Sequence, residues 1–207
     1  KLDETLLAQE TAAADDKIDL FLIEADYALK YVNTDYTLDV YKDVGLTQDD
    51  TSAMYGYTKD VCTDTNGVLK GLSWQACPAG LIYRRSIAEA VLGTSDPAEV
   101  QSKLDSWDKF EAVAADAKAL GYYMVSGFDD DYRVFSNNAT KTWVDSSNKI
   151  QFDDNILKWI DQTKKFTDAG YNNKAILWSP EQWAGAKADG KVMCYFGPGW
   201  FFDFCLA

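Results

Sequence analysis

Apolar residues along the chain come in two patterns: short continuous runs, and longer stretches with recurrence every three or four positions. The first pattern predicts buried strands and the second predicts helices packed by one face. Residues 1–16 read as an acidic helix rich in Ala and Leu. Ile18, Leu20, Phe21, Leu22 and Ile23 then form an apolar run bounded by charges. Such a run predicts a strand buried on both faces, as in a parallel sheet covered by helices. Helical stretches follow over 27–32 and 48–57. Asn66-Gly67 marks a turn, 68–74 reads as a strand, and another strand begins at Leu81-Ile82-Tyr83 after Pro78 and Gly80.

The second half carries sharper punctuation. Asp96-Pro97 opens a helix, because Asp caps well and Pro suits the first helical position. Ser106 caps the next, in which Trp107, Phe110, Ala114 and Ala117 recur at helical spacing until Gly121. Tyr122 to Gly127 predicts a strand running into the acidic loop 128–131. Asp153 or Asp154 starts a long helix with Ile156, Trp159, Ile160, Thr163 and Phe166 on one side, and Gly170 stops it. A short helix over 180–188 precedes a strand, Val192 to Phe196, that ends in Gly197-Pro198-Gly199. Strands alternating with helices predict an α/β protein with mainly parallel sheets.

Open α/β sheets bind ligands beyond the carboxyl ends of their strands, and carboxylates and aromatic residues gather at those ends here. The first strand ends on Glu24 and Asp26, and the strand before Pro78 ends on Trp74 and Gln75. The acidic loop supplies Asp129 and Asp130, and the last strand end supplies Trp200 and Asp203. This mixture suits a carbohydrate, whose hydroxyls donate to carboxylates and amides while its C–H face packs on an indole. Structural readings compete at each position. Glu24 and Asp26 could cap the helix that starts at Tyr27, and Asp129 to Asp131 could form a solvated turn or a helix cap. Trp107 and Trp159 lie on helix faces, which assigns them to core. Trp143, Trp178 and Trp183 sit in loops or at helix starts and are read as packing residues.

Composition narrows the function classes. The 207 residues carry a net charge of −13 and no histidine. Polyanions such as nucleic acid, and anionic membrane surfaces, would be repelled. Ser-His-Asp chemistry, Cys-His chemistry and His-based zinc sites are ruled out. Cys62, Cys77, Cys194 and Cys205 contain no C-x-x-C pair and are read as free, mostly buried thiols rather than as disulfides. Apolar runs such as 20–23 and 80–83 are too short to cross a bilayer, and no signal peptide is visible. The run from Cys62 to Gly67 fails as a calcium loop, since Cys62 and Ser73 would occupy its first and last ligand positions. No dinucleotide, phosphate-loop or hydrolase-elbow motif occurs, and no cofactor is indicated. Asn138-Ala139-Thr140 matches a glycosylation sequon, which means little if the source is bacterial.

Four segments in order carry a family likeness: 19–26, 70–93, 106–122 and 189–201. Tyr83-Arg84 before a helix, Trp107-Asp108-Lys109-Phe110 at a helix start, and Gly190-Lys191 leading through an apolar strand to Gly197-Pro198 and Trp200 are the marks. This order resembles the extracellular solute-binding proteins of bacterial carbohydrate ABC importers. Gly199 separates Pro198 from Trp200, where the family pattern places the aromatic residue directly after Gly-Pro. The resemblance implies a two-lobed periplasmic-binding-protein-like fold with a hinge, incomplete here at both termini. Residues 1–77 would be the remaining part of the N-terminal lobe and 78–207 most of the second. It further implies a non-catalytic, monomeric receptor that holds a mono- or oligosaccharide between its lobes and docks on an ABC permease. Such a receptor is periplasmic, or extracellular and anchored through an N-terminal lipid. Alternatives are a glycoside hydrolase with paired carboxylates, a binding protein for an amino acid or peptide, and a surface adhesion module.

Overall fold

The protein is described by a computed structural model over residues 1–206, and it divides into two compact units, Lys1–Ala76 and Cys77–Ala207. In the first unit, helices α1 (Leu2–Leu7), α2 (Ala28–Val32) and α3 (Gly56–Val61) are joined by irregular chain. Its buried apolar residues are Leu6, Ala28, Tyr31, Val32, Val40 and Leu69. Asp3 ties α1 to α2 by accepting from Lys30 Nζ and, at 3.0 Å, from the Tyr31 hydroxyl. The expected strand over 18–23 does not form. A strand exists only where a neighbouring strand takes up its N–H and C=O groups, and among the described residues nothing pairs with this run. Leu20 and Leu22 consequently stand 83% and 71% exposed. Nor does 68–74 become a strand; its pairing is one bridge, Thr63 to Leu69. Between them Asp64 closes the Asn66-Gly67 turn by accepting from the N–H groups of Asn66 and Val68. That Asx turn accounts for the segment that superficially resembles a calcium loop. The helix expected over 48–57 is replaced by a 3₁₀ turn at Asp49–Thr51 followed by α3.

The second unit is built on a mixed sheet. Strand β1 (Ala79–Tyr83) pairs antiparallel with β2 (Cys194–Pro198), Leu81 lying opposite Phe196. The ladder continues through parallel bridges from Val192 to Tyr123 and from Val125 to Asn172. Parallel pairing is therefore present, but the expectation of mainly parallel sheets is corrected by β1, which enters at the edge in the opposite direction. Helices α4 (Arg85–Leu92), α5 (Pro97–Lys103), α6 (Trp107–Ala119), α7 (Tyr132–Ser136), α8 (Asp154–Ala169), α9 (Pro180–Ala184) and α10 (Gly199–Phe201) accompany it. Ile87, Val100, Phe110, Ala114, Ala117, Met124, Phe166 and Met193 form its main core. Trp107 packs at the margin, stacked on Phe135 with ring centroids 4.6 Å apart.

Local signals explain the helix boundaries. Asp96 accepts from the N–H groups of Ala98 and Glu99, and Ser106 from that of Lys109. Asp153 caps α8 through Asn155 N and also accepts from Thr140 N and Lys141 N, so these donors hold its carboxyl down at about 2. Gly170 ends α8 with φ +73°, a conformation that costs glycine little.

Arg84, which follows β1, explains why a cation sits in the Tyr-Arg pair. Its Nη1 donates to the carbonyls of Gly190 and Gly185, and its Nη2 to that of Ala188 at 3.3 Å. The guanidinium fork thus closes the loop between α9 and β2. An ammonium cannot span three carbonyls in this way. Arg84→Lys is expected to destabilise the second unit by about 1–2 kcal/mol in urea denaturation. An unchanged midpoint would show that the loop closes without the fork.

All four cysteines are free thiols. Only Cys194 is buried, and burial raises its thiol pKa; Cys62 and Cys205 are partly covered and Cys77 is exposed. The expectation of mostly buried thiols therefore holds only for Cys194, since Cys77 lies in irregular chain before β1. No helix among the described residues is long and apolar enough to cross a membrane.

Candidate binding site

The site grows from the carboxyl ends of the inner segments of the mixed sheet. Val125 and Asn172 bridge in parallel, and Ala175 N donates to Ser126 O at 3.0 Å, so the chain turns immediately afterwards. Gly127 is required at that turn: a Cβ there would lie 2.1 Å from the carbonyl oxygen of Ala175. The loop then folds over its own acids. Asp130 Oδ2 accepts from Ser126 N at 2.6 Å and Gly127 N at 2.9 Å. Asp130 Oδ1 accepts from Gln182 Nε2 at 2.6 Å. Asp131 Oδ2 accepts from Gln162 Nε2 of α8 at 2.7 Å.

Asp130 and Asp131 are only 6% and 4% exposed, so the solvated-turn reading is overturned for both. Burial pushes each carboxyl up to about 6, against the donated hydrogen bonds that pull them down. Asp129 differs. Its Oδ2 accepts from Leu177 N at 3.4 Å, while its Oδ1 is covered and has no partner within the described chain.

Leu177 leads directly to an aromatic shelf. Trp178 stacks on Trp200 with centroids 5.5 Å apart and planes 15° from parallel. Phe201 meets Trp178 edge-on at 5.4 Å. Both indoles remain open, at 51% for Trp178 and 43% for Trp200. Pro198 ends β2 and α10 begins at Gly199, which carries Trp200 outward and Phe201 inward onto Tyr195. Trp178 has φ +64°, uncommon for a bulky residue. Just after it, Ser179 caps α9 by accepting from Gln182 N, with Pro180 at the first helical position. The Gln182 side chain turns back so that its Oε1 accepts from Trp178 N at 2.9 Å. The Tyr195 hydroxyl donates to Gln182 O at 3.0 Å, and burial raises that phenol's pKa.

The sequence candidates therefore separate. Asp129, Asp130 and Trp200 meet around one strand-end cluster, Asp130 as an internal strut rather than an open acceptor. Asp203 is exposed in the π-helical turn Phe202–Leu206 that follows α10, whose Leu206 is buried. Glu24, Asp26, Trp74 and Gln75 belong to the first unit and are exposed. Glu24 sits at the start of the 3₁₀ turn Ala25–Tyr27 without a side-chain cap bond. Trp178 and Gln182 were not among the candidates. The sequence reads Trp178 as a packing residue, yet its ring is half open and lies stacked on Trp200, on a left-handed backbone. The available signal for Gln182 was Ser179-Pro180-Glu181-Gln182, a capping-box spacing in which the fourth side chain reaches back over the helix start. Among the described residues no cluster of acids and cysteines could hold a metal ion.

Residues 1–204 match the family model described as bacterial extracellular solute-binding protein. A solved structure described as an extracellular solute-binding protein family 1 aligns with a TM-score of 0.70 and 18% identity. The alignment covers 98% of this chain and 53% of that one, so the chain spans about half the length of that structure. At this identity the likeness establishes the α/β solute-binding-protein fold alone. No curated protein sequence matches the chain.

Proposed function

Because the chain belongs to the bacterial extracellular solute-binding proteins, we propose that it is part of a non-catalytic receptor that hands a sugar to an ABC importer. The Trp178–Trp200 stack beside Asp129 carries the reading. An open indole face takes the C–H face of a pyranose, and the half-buried Asp129 beside it, through Oδ2 rather than the covered Oδ1, is the candidate acceptor for a ring hydroxyl. The net charge of −13 favours a neutral solute over an anion. In this reading Lys1–Ala76 and Cys77–Ala207 are portions of the two lobes, and Asp203, Glu24, Asp26, Trp74 and Gln75 are further candidate contacts. The receptor acts as a monomer outside the cytoplasmic membrane, held there by an N-terminal lipid or free in a periplasm, with a permease as its partner.

The hydrolase alternative needs an accessible carboxylic acid with a raised pKa. Asp130 and Asp131 have raised values but are enclosed and hydrogen-bonded to Gln182 and Gln162, which supports the receptor reading over the hydrolase. Titration calorimetry of the intact protein against mono- and oligosaccharides, amino acids and short peptides tests the proposal. Heat with a sugar and none with the other classes is expected. Binding of an amino acid or peptide in place of every sugar would overturn the carbohydrate assignment, the solute's ammonium then pairing with Asp129 over the indole face.

A further inference from the structure

We infer that Gln182, although buried away from solvent, is a positioning residue that sets the Trp178–Trp200 platform and through it the affinity for solute. The inference rests on the binding role given to that platform. Trp178 occupies a backbone conformation that a tryptophan rarely adopts, so something must hold it there. The Gln182 amide does so, because its Oε1 takes the Trp178 N–H while Asp130 takes its Nε2. Only one amide orientation satisfies both contacts. With Nε2 turned towards Trp178, two donors would face each other there and two acceptors would face each other at Asp130. Asp130 is in turn fixed by the N–H groups of Ser126 and Gly127, and Tyr195 holds the Gln182 carbonyl. The sheet end is thereby connected through three side chains to the ring that stacks on Trp200. Gln182 itself is 1% exposed and cannot touch a ligand.

Two variants separate positioning from mere packing. Gln182→Met keeps the volume and removes both bonds. The double variant Gln182→Glu with Asp130→Asn exchanges donor and acceptor between the two residues, yet leaves an oxygen facing Trp178 N and another facing Ser126 and Gly127. Trp178–Trp200 is the only Trp–Trp pair in ring contact among the described residues. Its exciton couplet in circular dichroism therefore reports the platform without any ligand, and Trp200→Phe defines the zero. Gln182→Met is expected to lose more than half of the couplet and about tenfold in sugar affinity. The exchanged pair should restore both. A full couplet in folded Gln182→Met would overturn the inference. Should that variant not fold, hydrogen exchange of the Trp178 amide in the unaltered protein decides: protection is expected, and exchange at the rate of a free amide would overturn it. If the couplet responds as expected while no sugar binds any variant, the positioning role stands and the sugar reading falls.

Discussion

Replacing Asp130 by Ala is expected to destabilise the second unit by about 2–4 kcal/mol at pH 7, and by more at pH 5. Two effects of opposite sign compete. The substitution strands three donors, Ser126 N, Gly127 N and Gln182 Nε2, inside the protein. Each costs about 1–3 kcal/mol when left unpaired. It also removes a buried charge, whose rise from the ordinary 3.8 to about 6 corresponds to about 3 kcal/mol at pH 7. The donors win, but not by their full sum.

The pH dependence follows from the direction of the shift. A carboxyl with a raised pKa binds its proton more readily in the folded state than in the unfolded state. The cost of its charge is therefore felt above about 6 and fades as pH falls towards 3.8. The unaltered protein gains stability from Asp130 between pH 7 and pH 5, and the Ala variant does not. Asp131 is raised mainly by burial and further by the neighbouring Asp130 charge, so its own gain between pH 7 and pH 5 is smaller in the Ala variant and adds to the difference with the same sign. The difference between them should grow by about 1 kcal/mol from pH 7 to pH 5 in chemical denaturation. A difference that shrinks over that interval would mean that the three donors, not burial, dominate the carboxyl.

Trp200→Ala is expected to weaken binding of the sugar identified by calorimetry roughly thirtyfold, about 2 kcal/mol, with little effect on the denaturation midpoint. The ring is 43% exposed and touches Trp178 and Phe201, so its removal leaves no buried cavity. Trp178→Ala should cost a similar factor. The double variant should lose less than the product of the two, because each ring is already displaced when its stacking partner is gone. Trp143→Phe serves as a control. Trp143 is also exposed but packs on Phe152 beside the 144–150 turn, and the variant should bind as tightly as the unaltered protein. Equal losses in all three single variants would point to general destabilisation rather than a platform. Full affinity in Trp200→Ala would remove the shelf from the site.

Helix boundaries of the second unit were legible because they depend on neighbours in the chain. Asp96, Ser106 and Asp153 each bond an N–H two or three residues on, and Gly170 needs only its own backbone freedom. The run from Val192 to Tyr195 was equally legible, since complete burial of a sheet segment demands apolar residues on both faces. The same rule failed at Ile18 to Ile23, where the pattern is as apolar but among the described residues no strand pairs with it. The candidate site was legible in part. Asp129, Asp130 and Trp200 follow from the rule that ligands gather at strand ends. Which of the acids are enclosed and which is only half-buried did not follow, because adjacent residues in one loop differ only in what surrounds them.

Family membership and α/β class were thus determined by the sequence itself, through the order of local signals: the strand runs, the caps, Tyr83-Arg84, and the Gly-Pro end of β2. The tertiary structure alone decided the rest. It set β1 antiparallel at the sheet edge, enclosed Asp130 while leaving Asp129 Oδ1 unpartnered, and brought Trp178 onto Trp200 from a segment more than 20 residues away. Local signals act through bonds that span a few residues. Stacking, burial and charge cost depend on which distant segments the folded chain places side by side, and no short stretch of sequence contains that information.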